Sequence, residues 1–243
     1  MKKQMKVSVV TGLLVVLCAV AGLSAKAHAA DVTAGTDLAS AYVWRGITFN
    51  DGLVAQPSVD VTSGGFGFNV WANMDIDDYD DTLNSGEFSE VDLTLSYAFS
   101  LDPVDVSVGY IEYLFPEGGS GTREVYAGLS IEPLSGLTAG VTGYYDFDEV
   151  EDYYVNVSLG YAYELAKDLT LGAGAAVGIA GDDASAGEDS GFHEYLLSVD
   201  CAWALTEALE VTAYLAYTDN FDKDVLPDQD TDWFGGMGVY YSF

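Results

Sequence analysis

Apolar and polar residues alternate along most of this chain. From residue 32 onward, segments of about ten residues with an apolar side chain at every second position are separated by turn signals rich in Gly, Pro, Asn and Asp. A period of two is the repeat of a β-strand, whose successive side chains point to opposite faces. The pattern predicts an all-β chain with about twelve strands, at residues 32–46, 53–63, 66–76, 88–99, 104–115, 123–133, 137–147, 152–165, 169–180, 191–205, 209–219 and 232–243.

The predicted connections alternate in length. Short turns such as 63–65 and 100–103 alternate with longer loops such as 77–87 and 220–231, whereas 47–52 and 148–151 are intermediate. Short turns at one end, longer loops at the other and an even strand number are typical of an antiparallel transmembrane β-barrel of the bacterial outer membrane, with both termini in the periplasm. A soluble sandwich or a lipocalin-like barrel is the alternative, and its apolar face would point inward.

Aromatic residues lie near both ends of the predicted strands, in the apolar phase. Tyr42, Trp44 and Trp233 are predicted at the loop end, and Phe66 and Trp203 at the turn end, with aliphatic residues between them. Two aromatic girdles around an aliphatic band are typical of a lipid-facing wall. This arrangement favours the membrane barrel over the soluble alternatives.

The two ends of the chain fit export and membrane insertion. Three lysines precede an apolar run from Val7 to Leu17, and 27–29 supplies small residues for cleavage, so we expect a signal peptide at residues 1–29 and a barrel at 30–243. At the other end, the alternating apolar residues close on Tyr241 and Phe243, which we expect to form the signal read by the barrel-assembly machinery.

The opposite phase of the predicted strands, which should face the lumen, is rich in acidic residues. Arg45, Arg123, Lys167 and Lys223 are the only basic residues after position 29, against 39 acidic residues, and this balance disfavours binding to nucleic acid. Carboxylates dominate the inward phase, and we predict that the lumen is acidic at both ends. The predicted lumen carboxylates are Asp60, Asp75, Glu90, Asp105, Glu132, Asp146, Asp200, Glu210 and Asp232.

Twelve strands are more than the eight whose interior side chains can fill and fewer than the 16 to 18 of wide porins. With acidic ends, such a lumen predicts a narrow passive channel for cations or small polar solutes. The alternative is a non-conducting structural or surface-interaction barrel, in which the carboxylates only solvate the inner wall.

Arg45 is predicted to be a structural clamp. A lone guanidinium near the outer end of the first strand could pair in bidentate fashion with Asp75 or Asp232, and a substrate contact is the alternative. The acidic loops suggest solubility first, with loose Ca²⁺ or Mg²⁺ shared with lipopolysaccharide as a second interpretation. Asp228, Asp230 and Asp232 have the D-x-D-x-D spacing of a calcium loop, but Trp233 occupies the position where such a loop needs glycine. No dedicated metal site or cofactor is therefore expected.

Catalysis finds little support in the sequence. His193 is the only histidine after position 29, and Tyr195 stands where the H-x-S arrangement of outer-membrane lipases and deacylases requires serine. We therefore interpret His193 as structural and the chain as a non-enzyme.

The beginning of the predicted barrel carries a recognisable motif. The run from Ser40 to Ile47, S-A-Y-V-W-R-G-I, resembles the S-x-Y-x-[FW]-R-G opening of the uncharacterised proteobacterial family labelled Gcw_chp, and the similarity continues at 67–71. The resemblance implies an outer-membrane barrel without an established activity. It also suggests that Arg45 and Gly46 belong to a shared structural element.

Overall fold

The computed structural model describes residues 30–77 and 84–243. Twelve antiparallel strands form a closed barrel, and two further short strands form a separate hairpin. The strands are β1 (Asp31–Ala39), β2 (Tyr42–Trp44), β3 (Ile47–Asn50), β4 (Val54–Ser63), β5 (Phe66–Asp75), β6 (Phe88–Leu101), β7 (Val104–Leu114), β8 (Thr122–Leu134), β9 (Leu137–Asp146), β10 (Tyr153–Ala166), β11 (Leu169–Ala180), β12 (Gly191–Ala204), β13 (Leu209–Asn220) and β14 (Trp233–Ser242). The predicted twelve-stranded barrel is confirmed.

The first and last wall strands close the barrel. β1 pairs with β14 from Thr33, opposite Ser242, to Ala39, opposite Gly236, and on its other edge it pairs with β4. Each strand from β5 to β13 pairs with the strands before and after it in sequence. Closure leaves no free edge, so every wall strand is paired on both sides.

The two ends of the barrel differ in their connections. Short turns join β4 to β5, β6 to β7, β8 to β9, β10 to β11 and β12 to β13, at the end that also holds both termini. In the first of these turns Gly64 and Gly65 have φ angles of 57° and 87°, which glycine adopts without steric cost. The longer connections lie at the opposite end, which is the outer end in barrels of this kind.

The outward phase of the wall is apolar and exposed. Leu95, Leu197 and Leu215 are each about half exposed along the middle of their strands, and Trp203 and Tyr161 are exposed near the short-turn end. A soluble barrel would bury these residues, so the apolar phase faces outward, as a lipid-facing wall requires. The described residues contain no helix long and apolar enough to cross a membrane.

The predicted first strand, 32–46, is wrong beyond Ala39. The chain leaves the wall there, makes the β2–β3 hairpin and rejoins the wall at Val54, which lies directly opposite Ala39. Tyr42 and Trp44 therefore do not belong to the lipid-facing girdle; Tyr42 is buried, and its hydroxyl donates to Glu90. Alternation alone does not distinguish a wall strand from a strand inside the barrel, since both have a period of two.

Candidate functional site: a hairpin across the lumen

The hairpin turns at Arg45 and Gly46. These residues have φ angles of 50° and 77°, and left-handed conformations at both central positions are typical of the tight turn that fits the twist of two antiparallel strands. A Cβ atom at Gly46 would lie 2.7 Å from the Cβ atom of Glu194, so the position also lacks room for a side chain. Glycine at the tip thus allows the hairpin to approach β12 closely.

The two faces of the hairpin pack against different parts of the wall. On one face Tyr42 forms a buried cluster with Ala39 and Val54, to which Trp44 and Trp71 add their rings. On the other face Ala41 packs against Ala216 and Phe234, with Val43 beside them. Contacts with β4 and β5 on one side and with β13 and β14 on the other hold the hairpin between two parts of the barrel.

The tip of the hairpin reaches the far wall. The guanidinium of Arg45 contacts β8, β9 and β10, and β9 is six strand positions from β1 and five from β4 in the cyclic order of the barrel. Both routes around twelve strands are nearly equal, so the contact lies opposite the point where the hairpin leaves the wall. The hairpin therefore spans the lumen, near the outer ends of these strands.

Arg45 is the most strongly held side chain in the hairpin. Both terminal nitrogens donate to the carboxylate of Glu124 at 2.8 Å, and the hydroxyl of Tyr113 donates to the same carboxylate at 2.7 Å. The guanidinium carbon also lies 4.1 Å from the ring centre of Trp44 and 4.2 and 4.6 Å from those of Tyr154 and Tyr144. A bidentate pair surrounded by aromatic faces is the geometry that arginine favours when buried.

The expected partners of Arg45 were Asp75 and Asp232, and both assignments are wrong. Asp75 is buried and accepts hydrogen bonds from the side-chain amides of Asn50 and Asn73. Asp232 is exposed and precedes β14, and its carbonyl oxygen accepts from the backbone of Thr218. Glu124, 79 residues away in sequence, has the pairing role instead.

A second buried carboxylate lies beside the tip. β12 has a bulge in its pairing with β11, so that His193 and Glu194 are both buried although they are consecutive. Glu194 accepts from Nδ1 of His193 at 2.7 Å, taking that nitrogen as the protonated one, and from the hydroxyl of Tyr154. The histidine orients Glu194 and has no serine nucleophile in contact with it among the described hydrogen bonds.

The loop between β13 and β14 covers the hairpin from outside. Val225 and Leu226 are buried, and the Cδ2 methyl of Leu226 would lie 3.0 Å from a Cβ atom at Gly46. The side-chain oxygen of Gln229 accepts from the backbone of Thr48 at 2.9 Å. The hairpin is thus held from the wall and from the loop above it.

Cavities lie on both sides of the hairpin tip. The outer vestibule is a cavity of about 260 Å³ between the hairpin and the outer ends of β6 to β9. The middle chamber, about 440 Å³, lies on the other side and is lined by polar groups that include Asn69, Asp92 and Asn156. Trp44, Arg45 and Tyr113 line both, so these side chains form the partition between the two spaces.

Eight of the nine predicted lumen carboxylates lie at three levels of the barrel, and the ninth, Asp232, is exposed in the loop before β14. Asp75, Glu90 and Asp146 are buried around the hairpin at the outer level. Asp60 accepts from Asn69 at 2.8 Å farther in, and Asp200 and Glu210 line a cavity of about 650 Å³ at the short-turn end. Two others, Asp105 and Glu132, are exposed at the short-turn rim, where they accept from Ser100 and from the backbone of Gly136.

Further side chains of the inner wall were not predicted as a group. The tyrosines at positions 126, 144, 154, 214 and 240 point inward. Gly109, opposite Tyr126 on the neighbouring strand, makes room for that ring, since a Cβ atom there would overlap it. Pairing of small inward residues with large ones across strands is the signal that could have revealed these tyrosines.

The expected assembly signal lies at the short-turn end. Tyr241 pairs with Leu209 and Ala34, and its ring packs edge-on against Phe243 at 4.9 Å. Both side chains are outward and exposed.

In the described parts of the chain no group of three or more His, Cys, Asp or Glu side chains is arranged to hold a metal ion.

The chain matches the model of one known protein family. The family described as "Bacterial protein of unknown function (Gcw_chp)" matches residues 24–238. The chain belongs to this family. The family predicted from the opening motif is therefore confirmed, and the Arg45-Gly46 pair of that motif forms the tip of the hairpin. A search of the curated proteins finds no match.

Solved structures with the same fold are outer-membrane channels. The KdgM porin in complex with disordered oligogalacturonate has a TM-score of 0.58 at 10% identity, over 88% of this chain and 99% of that one. The COG4313 outer membrane channel from Pseudomonas putida F1 also has a TM-score of 0.58 at 10% identity, over 90% and 97%. The NanC porin has 0.52 at 15%, over 88% and 98%. The chain therefore has the fold of outer-membrane channel barrels, with an exterior suited to that membrane.

Proposed function

We propose that this protein is a narrow passive channel of the outer membrane that prefers cations and small polar solutes, and that the β2–β3 hairpin forms its constriction. The observation that carries the proposal is the charge of the lumen. Carboxylates lie at the outer, middle and short-turn levels, and Arg45, the one basic side chain in the described lumen, is already paired with Glu124. Low-dielectric walls focus the field of such fixed charges along the pore.

The remaining basic residues do not change this balance. Arg123 lies on the outward phase of β8, where it pairs with Glu112 and Asp148. Lys167 lies in a short turn, and Lys223 pairs with Asp228 in an exposed loop. An anion entering the lumen would therefore meet carboxylates without a free cation to bind.

This charge separates the proposed solute from that of one structural relative. The KdgM structure holds oligogalacturonate, which is a polyanion. An acidic lumen repels a polyanion, so we propose that the shared fold is used here for solutes of the opposite charge. Similarity at 10% identity concerns the fold, and lumen side chains can differ completely on one fold.

The hairpin favours a second candidate, a barrel that does not conduct. It spans the lumen and is anchored at both faces and at the tip, so it could close the passage permanently. The cavities on either side of the partition support the channel, because a barrel with a purely structural role has no need of two chambers that share one partition. In either case the function proposed is not enzymatic.

Export and assembly belong to the same proposal. We propose that residues 1–29 are a signal peptide and that the mature barrel extends from residue 30, and that the assembly machinery reads Tyr241 and Phe243. Lipopolysaccharide is the proposed neighbour of the outer loops, with loosely shared Ca²⁺ or Mg²⁺ and no tightly bound cofactor.

The test is the reversal potential of refolded protein in a planar bilayer under a KCl gradient. We expect the sign of a K⁺-selective pore, and a smaller potential in about 1 M salt, where the Debye length is near 3 Å. The variant Asp200→Asn/Glu210→Gln, at the short-turn cavity, should reduce the selectivity. The matched variant Glu188→Gln/Asp189→Asn removes two exposed loop charges and should change it less. An anion-selective sign would refute the proposal.

A further inference from the structure

The outer vestibule has an aromatic wall. Trp44 and Phe49 of the hairpin and Tyr113 and Phe115 of the opposite wall line it. Trp44 lies 6.1 Å from Phe49 and 6.1 Å, edge-on, from Tyr113, measured between ring centres. Rings from two separate elements thus surround one space that opens toward the outer end of the barrel.

Phe49 packs its ring against Tyr42, with 5.4 Å between the ring centres, but it remains the exposed ring of this wall. Its neighbour Asn50 is 2% exposed and Tyr42, across the hairpin, is 6% exposed, whereas Phe49 is 48% exposed. Phe49 also lies inside the mouth, away from the lipid-facing wall. A large apolar side chain left half exposed in a cavity gains stability when another apolar group covers it.

Carboxylates surround the same space. The vestibule is lined by Glu90, Glu124, Asp146, Glu149, Asp152 and Asp183, and Arg45 is its one basic group. Arg45 is neutralised by Glu124, and the other five carboxylates have no basic side chain among the ion pairs of the described residues. The vestibule therefore combines a strongly negative field with the exposed ring of Phe49.

We propose that the outer vestibule is a binding site for small organic ammonium ions that carry an apolar body. The exposed ring of Phe49 attracts the cation through its quadrupole, Trp44 helps to cover the apolar part, and the carboxylates supply the charge. A metal cation such as K⁺ leaves the apolar wall unused, a neutral molecule leaves the field unused, and an anion is repelled. A volume of about 260 Å³ limits the ligand to a small metabolite.

This site requires no conduction, so its test is a titration and can fail independently of the channel proposal. Benzyltrimethylammonium is titrated calorimetrically into the full-length refolded barrel in a non-ionic detergent, with benzyl alcohol and benzenesulfonate as the neutral and anionic comparisons. We expect binding of the cation, at least about tenfold weaker binding of the alcohol, and no heat from the sulfonate.

Two variants assign the binding to the vestibule. Phe49→Ala should weaken binding about fivefold or more because it removes the ring, and Glu149→Gln/Asp183→Asn should do so because it removes two charges. All three side chains are exposed, so these changes should leave the fold intact. Phe192→Ala, which removes a phenylalanine 58% exposed on the outward phase of β12, is the matched control and should keep wild-type affinity. Heat-modifiable gel mobility verifies the fold of each variant.

Three results would overturn the proposal: no binding of the cation, equal affinity for the cation and the alcohol, or wild-type affinity in Phe49→Ala. The first result would leave the reversal-potential experiment unaffected, because that experiment reports the field of the whole lumen.

Discussion

Replacing Arg45 by alanine should lower the free energy of unfolding by about 3–5 kcal/mol, the range seen when one partner of a buried ion pair is removed. The geometry supports this range. The pair is bidentate at 2.8 Å, and the side chains of Arg45 and Glu124 are 13% and 5% exposed. Without the guanidinium, Glu124 would keep only the hydroxyl of Tyr113 as a described donor.

Companion variants separate the causes of that loss. Arg45→Lys should recover part of it, because an ammonium retains the charge and the ring contacts but cannot donate in fork geometry. Arg45→Ala/Glu124→Gln should be more stable than Arg45→Ala, since it removes the stranded charge. Arg123→Ala is the matched control: its partners Glu112 and Asp148 lie at 3.2 and 3.3 Å and the arginine is 47% exposed, so the loss should be much smaller than that of Arg45→Ala.

The assay is equilibrium unfolding in urea with the barrel inserted in lipid vesicles, followed by tryptophan fluorescence and by acrylamide quenching. Trp44 packs against Arg45, so quenching should increase in Arg45→Ala and stay at the wild-type level in Arg123→Ala. The structural role of Arg45 is refuted if Arg45→Ala lowers the free energy of unfolding by less than about 1 kcal/mol and its tryptophans remain as protected from acrylamide as in the wild type.

Two further predictions use the same preparations. Gly46→Ala should destabilise the barrel more than Gly64→Ala. Both changes place alanine in a left-handed conformation, which costs about 1–2 kcal/mol, but only at Gly46 would the new Cβ atom clash with Glu194. Equal losses in the urea titration would contradict this. Deleting Phe243, or replacing it with Asp, should leave export to the periplasm intact and impair insertion, while Ser242→Ala inserts normally; wild-type outer-membrane levels of the deletion variant would disprove the assembly role.

The outer wall could be predicted from the sequence because one physical constraint acts on every strand. Lipid on one face and water on the other impose a period of two, and turn residues mark the strand ends. Eleven of the predicted strands accordingly match β4 to β14 within two residues at each end. Carboxylates lie at both ends of the lumen, with Asp75 at the outer end and Glu210 at the short-turn end.

The hairpin could not be predicted from the same pattern. Tyr42 and Trp44 alternate with polar or small residues as wall residues do, and a strand inside the lumen has the same period. The Arg45-Gly46 pair, which requires two left-handed conformations, is the local signal for a turn at that point. The partner of Arg45 depends on barrel geometry, because Glu124 becomes its neighbour only after the hairpin crosses the lumen.

The bulge in β12 shows a related limit. A regular strand would place His193 and Glu194 on opposite faces, and the extra residue opposite Gly178 buries both. A Cβ atom at Gly178 would overlap the carboxylate of Glu194, so the glycine is the sequence feature that permits this arrangement. Such a signal acquires meaning only once the pairing of β11 with β12 is known.

Single-channel recording of a hairpin-deletion variant shows whether the hairpin constricts an acidic lumen. Ala39 and Val54 are opposite each other on paired strands, so residues 41–52 can be replaced by Asn-Gly to give a short turn between β1 and β4. We expect a larger conductance than in the wild type, with the cation-selective sign of the reversal potential retained. A correctly folded deletion variant with wild-type or zero conductance, or with an anion-selective sign, would contradict it.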